Sequence, residues 1–190
     1  MFWGHEKISG LNGTNIKDFW QWTYSDLLIS KNREDLALFY VAHSLELTKM
    51  PRINWGKVEL RYRKKKIAVR TSGYIQTWRQ KKPKRLSFDI SPKVGLVAKK
   101  EDSLTFRNRD AEMYIFCVHK EKDVKKINVL DLEQWEFYLI RTSSLDELYP
   151  TNRKLGIRPL KQLASPIHYS KIKQNLDILV DMELSEKLVL

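Results

Sequence analysis

The chain has 190 residues, a net charge of +12, and 42% hydrophobic residues including six tryptophans. That composition describes a folded globule, not a disordered basic tail, and a length sufficient for one domain with a sizeable core. A single cysteine, Cys117, excludes an intrachain disulfide and a cysteine-based metal site. No apolar run approaches the ~18 residues that a membrane span needs. The N-terminus, M-F-W-G-H-E-K, lacks the basic-then-apolar pattern of a signal peptide, so a cytoplasmic protein is the expectation.

In chain order, the apolar spacing of Ile16, Phe19, Trp20, Tyr24, Leu27 and Leu28 predicts a helix. Trp20 and Trp22 could stack bases, but on an amphipathic helix they are expected in a core. Asn32 reads as the N-cap of a second helix running to about Leu47, with Pro51 closing the section. His43 stands alone on it and reads as structural or exposed. Val58, Leu60 and Tyr62 alternate with Glu59, Arg61 and Arg63, the pattern of a half-buried strand. Lys64 and Lys65 are expected to turn the chain into a return strand through Ile67, Val69 and Thr71, which Gly73 breaks. Tyr74 to Lys82 reads as a short helix or loop, and Leu86, Phe88 and Ile90 as a third strand.

Ser91 to Asp110 reads as a long polar loop. Met113 to Val118 is continuously apolar, as in a central strand covered on both faces, and places Cys117 as a buried thiol. A helical turn at Leu130 to Gln134 and a strand at Trp135 to Ile140 follow. Helical signals then lie in Ser144 to Tyr149, Pro159 to Ala164 and Ser170 to Glu183, the last one acidic. The order predicts an α+β (α/β-like) layer protein with a mixed sheet of about five strands flanked by helices. It also predicts one domain over 1–190, with an N-terminal helical segment 1–50 and small C-terminal helices in 143–190.

Charge is distributed unevenly. Between Arg61 and Arg85 there are eleven basic residues and no acidic one, leaving about +1 for the rest of the chain. These are Arg61, Arg63, Lys64, Lys65, Lys66, Arg70, Arg79, Lys81, Lys82, Lys84 and Arg85. One concentrated positive surface of this kind is expected where a polyanion docks, because lysines and arginines release counterions from phosphates. A solvated hairpin is the plainer explanation of the same charges.

The segment I-A-V-R-T-S-G-Y-I-Q-T-W, from Ile67 to Trp78, resembles a branch of the PD-(D/E)XK nuclease superfamily that reads I-E-V-K-S-x-x-Y-x-Q-x-W. The resemblance extends to N-R-E-D-L-A-L-F-Y-V-A (32–42), R-D-A-E-M-Y-I-F-C (109–117) and D-L-E-Q-W-E-F-Y-L-I (131–140). It implies a restriction-endonuclease-like core in which carboxylates on the hairpin hold one or two magnesium ions and a lysine supports the developing charge. This chain departs from that pattern. Glu59 is the one matching carboxylate, Ala68 replaces the motif acid, Arg70 replaces the lysine, and Leu38 stands where a helix glutamate would be; Gln76 marks the motif's downstream end. Ala68 alone would fit a substitution introduced to inactivate the enzyme, but three departures together describe a site lost in nature.

The resemblance therefore implies a pseudoenzyme that binds nucleic acid, with duplex DNA the expected form. It requires no cofactor, and the basic run grips phosphates, with Arg70 at the groove floor and Gln76 and Trp78 near its edge. An active endonuclease with a rearranged site would instead use Glu59 with Glu46, Asp89 or Glu112 and would need Mg2+. A third expectation is a protein partner, as in a subunit of a defence or repair assembly.

Overall fold

The computed structural model describes residues 2–52, 58–98 and 103–188. Five helices are formed: α1 (Ile16–Tyr24), α2 (Ser30–Ser44), α3 (Thr142–Leu148), α4 (Ile157–Leu163) and α5 (Ile172–Leu188). The eight strands are β1 (Leu60–Tyr62), β2 (Lys65–Gly73), β3 (Ser87–Asp89), β4 (Lys93–Ala98), β5 (Ser103–Asn108), β6 (Met113–His119), β7 (Trp135–Arg141) and β8 (Lys154–Gly156). This is a mixed α+β protein.

The main sheet has four strands in the order β1-β2-β6-β7. β1 and β2 form an antiparallel hairpin, β2 and β6 run parallel from Ile67↔Met113 to Gly73↔His119, and β7 returns antiparallel to β6. The expected third strand does form, but it leaves the main sheet. β3 pairs with β8 as a separate two-stranded ribbon laid over one face. The main sheet thus has four strands where about five were expected. The expected long loop contains a further antiparallel hairpin, β4 with β5. Its signal is in the sequence as apolar residues at intervals of two, Val94, Leu96 and Ala98 in the first strand and Leu104 and Phe106 in the second.

Side-chain alternation on β2 splits the core into two layers. Ile67 and Val69 join Ile115, Cys117 and Phe137 beneath α2 and α5. Ala68 joins Tyr114, Phe116 and Tyr138 beneath β3, β8, α3 and α4. β6 is buried at all seven positions, which is what its unbroken apolar run requires between two layers. Burial pushes the Cys117 thiol well above its ordinary range, so this residue is a core atom and not a nucleophile.

Two local expectations shift by small amounts. The hairpin turn is Arg63-Lys64, not Lys64-Lys65: both residues have positive φ (46° and 67°), and Tyr62 pairs with Lys65. Two positive φ values across a two-residue loop describe a type I′ turn, whose twist matches the flanking strands. α2 begins at Ser30, so Asn32 lies inside its first turn, where its amide donates to the Asp26 carbonyl at 2.9 Å. Asn32 thereby ties the helix to the preceding turn instead of capping it.

α1 is capped by Asn15 and Asp18 in a reciprocal box. It buries no residue, and Trp22 is 87% exposed. The core expectation for Trp20 and Trp22 is therefore corrected. Trp20 lies against the N-terminal turn at Gly4, and the backbone of Gly4 and Glu6 holds the start of the helix. The tryptophan that does fill the core is Trp135, whose indole N–H donates to the Val129 carbonyl at 3.0 Å. Among the described residues no helix is long and apolar enough to cross a membrane.

Candidate nucleic-acid interface

The motif positions on β2 point to one face. Ala68 is 2% exposed and packs with Tyr114. Arg70, two residues on, lies with its guanidinium 5.6 Å from the Tyr114 ring centroid. One Arg70 nitrogen meets the Glu59 carboxylate at 2.6 Å and also donates to the Val69 carbonyl, while Nε donates to the Asp89 carbonyl at 3.0 Å. The guanidinium thus satisfies one oxygen of Glu59 directly. A fixed, always-charged fork at this point neutralises the carboxylate that a divalent cation would need.

Around this fork sit two further acids. Burial alone would raise the Asp89 carboxyl, but hydrogen bonds from Ser91 and the nearby Arg70 charge bring it below its ordinary range. Glu34, on α2, is close enough for its charge to interact with Arg70; desolvation of its carboxyl, the leading cause, raises it despite the opposing charges of Lys31, Arg33 and Arg70. Sequence reasoning missed Glu34 and placed the helix position at Leu38, one turn later. Leu38 is 5% exposed and belongs to the core layer of Ile67 and Val69, on the opposite face of the sheet from Ala68.

The remaining acids considered as ligands are dispersed. Glu46 pairs with Lys173 at 2.6 Å beside α5, and Glu112 accepts from Lys65 Nζ and the Lys66 backbone N–H, both at 3.0 Å. Of the four acids considered as ligands, Glu59 and Asp89 share the neighbourhood of Arg70. No group of three or more His, Cys, Asp or Glu positioned to hold a metal ion occurs among the described residues.

Gln76 is not at a groove edge. It is 3% exposed and accepts from Arg33 Nη2 at 3.1 Å and Ser30 Oγ at 3.2 Å, while its own amide donates to the Gly73 carbonyl at 2.8 Å. Arg33, equally buried, also donates to the Ile75 carbonyl at 2.6 Å. A Cβ on Gly73 would come within 2.8 Å of Arg33 Nη1, so this close approach requires glycine. The Q in the motif holds the end of β2 against the start of α2.

The basic residues do not form one surface. At the hairpin end, Arg63 bonds Asp177 at 3.2 Å and Asp181 at 2.8 Å on α5, and Lys65 is held by Glu112. Arg61, Lys64 and the partly buried Lys66 remain at that end without a carboxylate partner among the described residues. At the other end, roughly 26 Å away along the eight residue steps of β2, the chain enters the connection to β3. There Arg79, Lys81, Lys82, Lys84 and Arg85 are all exposed, and none pairs with a carboxylate among the described residues. Trp78, 58% exposed, opens this run.

A second basic loop escaped the sequence analysis because its lysines alternate with acids. Residues 120–128 follow β6, which ends beside β2, and carry Lys120, Lys122, Lys125 and Lys126. Lys122 Nζ stands 4.7 Å from the centroid of the Tyr74 ring, joining this loop to the first residue after β2. The acids of the loop accept from its own backbone: Glu121 from the N–H groups of Lys122 and Asp123, and Asp123 from that of Lys125. Parallel strands that end side by side thus carry two cationic loops at one edge. Comparison of the chain with protein-family models, curated proteins and solved structures found no match.

Proposed function

We propose that this protein binds nucleic acid through phosphate contacts on a nuclease-like scaffold and does not cleave it. The observation that carries this reading is Arg70. A helix, then a hairpin, then further strands is the order implied by the PD-(D/E)XK resemblance, and at the position of that family's lysine a guanidinium is bonded to Glu59, the one remaining motif carboxylate. Ala68, with no ligand atom, packs against Tyr114 beside it. A single acid already paired with arginine leaves a magnesium ion without the oxygen ligands that would fix it. Phosphate contacts fix position without reading bases, so the binding is expected to be weakly sequence-dependent.

The test is a restoring one. Ala68→Glu with Arg70→Lys rebuilds the E-x-K pair beside Glu59 and removes the bonded fork. Leu38 is left untouched, since a glutamate there would enter the core. The expected result is that the unaltered protein binds labelled DNA with no cleavage in magnesium or manganese, while the restored variant gains magnesium affinity by titration calorimetry. Magnesium-dependent nicking by the unaltered protein, abolished by Glu59→Gln, would instead establish the rearranged-site endonuclease.

A further inference from the structure

The loop that leaves β2 combines charge with exposed aromatic surface. Trp78 is 58% exposed and is followed by the exposed cations Arg79, Lys81, Lys82, Lys84 and Arg85, none paired with a carboxylate among the described residues. Thr77, just before it, donates its hydroxyl to the Asp26 carboxylate in the turn that follows α1. That bond anchors the loop to the end of α1, whose last turn carries Trp22 at 87% and Tyr24 at 48% exposure. Thr77 also has a structural consequence for Asp26, whose carboxyl it holds below the ordinary range, so the link is between a hydroxyl and an ionised acid. On the other side, Lys122 over Tyr74 brings in the loop after β6.

Large exposed aromatics are costly in water unless a partner covers them. Cations alone serve a duplex, whose bases are stacked on one another and whose phosphates lie outside. Aromatic faces beside cations serve a single strand, whose bases are free to stack on a ring while the backbone runs along the charges. Building on the nucleic-acid reading above, we infer that the edge formed by the 74–85 loop, the 120–128 loop and the end of α1 binds single-stranded nucleic acid, with Trp78 as a base-stacking platform. The duplex expected from the sequence is then the weaker ligand. A stack on Trp78 is insensitive to which base lands there, because every base presents a π face, and Arg79 next to it supplies the first phosphate contact. Lys120, Lys125 and Lys126 extend the charged track beyond Lys122.

The test uses the full chain, a fluorescein-labelled oligo(dT) of about fifteen nucleotides and a duplex of the same length, read by anisotropy over 50 to 300 mM salt. Oligo(dT) is expected to bind more tightly than the duplex. Trp78→Ala is expected to weaken oligo(dT) binding about tenfold with an unchanged salt slope, and Trp78→Phe to recover most of that loss. Lys81→Gln with Lys82→Gln is expected to lower the salt slope instead, by about 0.7 for each lost single-strand contact. Trp78 is exposed, so thermal unfolding of its variants should match the parent and rule out misfolding as the cause. Tighter binding of the duplex, or an affinity for oligo(dT) indifferent to Trp78→Ala, overturns the single-strand inference while leaving nucleic-acid binding intact. Binding to neither probe at 50 mM salt overturns both.

Discussion

The two ends of β2 carry similar numbers of cations and put them to different uses. At the hairpin end, Arg63 reaches across to Asp177 and Asp181 of α5, and Lys65 is clasped by Glu112 at the foot of β6. Those charges hold the edge of the sheet to a helix and a neighbouring strand. At the far end, the five cations of residues 79–85 pair with no carboxylate among the described residues. A count of basic residues along the chain measures both groups equally, but only in the second are all five exposed and without a carboxylate partner among the described residues. Asp177 and Asp181 of the acidic last helix are the complement of Arg63 in the hairpin turn.

The largest effect is expected where the comparison is most direct. Replacing Lys81, Lys82, Lys84 and Arg85 by glutamine removes up to four phosphate contacts, each contributing ~0.7 to the log–log salt slope on a single strand. At 50 mM salt this amounts to roughly a thousandfold loss of affinity, measured by anisotropy. The matched hairpin variant, Arg61, Lys64 and Lys66 to glutamine, is expected to lose far less. Equal losses from the two variants would mean that the ends of β2 act as one continuous surface.

The far end also contains an acid-sensitive support. His119 closes β6 with 0% exposure, packed against Trp135 at 4.9 Å between ring centroids and beside Arg33 and Gly73. Burial, the main cause, lowers its pKa from 6.5 to about 4, and the Arg33 charge adds to the effect. The unfolded chain therefore binds a proton near pH 6.5 that the folded chain refuses until about pH 4. Between those values stability rises with pH, is fully present above 6.5, and falls by about 3 kcal/mol as pH drops to 4. Urea denaturation at pH 7 and pH 4.5 checks this, and His119→Phe should flatten the dependence.

A smaller effect is expected from Lys65. Its side chain is 9% exposed and Glu112 is its partner at 3.0 Å. Lys65→Gln leaves the Glu112 carboxylate with less compensation at a partly buried site and should destabilise by ~1–2 kcal/mol in urea denaturation. It should leave binding to oligo(dT) unchanged once the variant is folded, which separates a structural cation from a binding one.

These contrasts also mark how far the sequence could be read. β6, β7 and α2 were legible because a continuous apolar run, a short alternating run and a helical stripe each admit few structures. The β1–β2 hairpin was legible, but its turn was displaced by one residue, since R-K-K-K offers no Gly or Asn to mark it and only the pairing of Tyr62 with Lys65 decides. The β3–β8 ribbon was partly legible: the strand was visible, but a pairing with residues some 67 positions later is a tertiary fact. At the candidate site, the identities of Glu59, Ala68 and Arg70 were readable, whereas the bond between Glu59 and Arg70 was not. The burial of Gln76 and the neutralisation of Arg63 by α5 depend on contacts distant in sequence, 43 and 114 residues respectively. Composition registers the charge but not its neighbour.

The smallest expected effect tests the hairpin from inside its turn. Arg63 and Lys64 both hold positive φ, a region that costs an L-residue energy because its Cβ crowds the carbonyl. At Arg63 this cost is offset in part by two carboxylates, Asp177 and Asp181. Lys64, at φ 67°, is exposed and has no such compensation among the described residues. Lys64→Gly should therefore stabilise the protein, by about 0.5–1 kcal/mol after the added freedom of glycine in the unfolded chain is subtracted. The register is pinned by Leu60↔Ile67 and Tyr62↔Lys65 on either side, so the turn has no alternative geometry to adopt. The same change removes one free cation from the hairpin. If nucleic acid is bound at the far end of β2, Lys64→Gly will unfold at a higher urea concentration and bind oligo(dT) with the parent's affinity and salt slope. A stabilised variant whose slope falls by about 0.7 would instead place one phosphate contact at the hairpin.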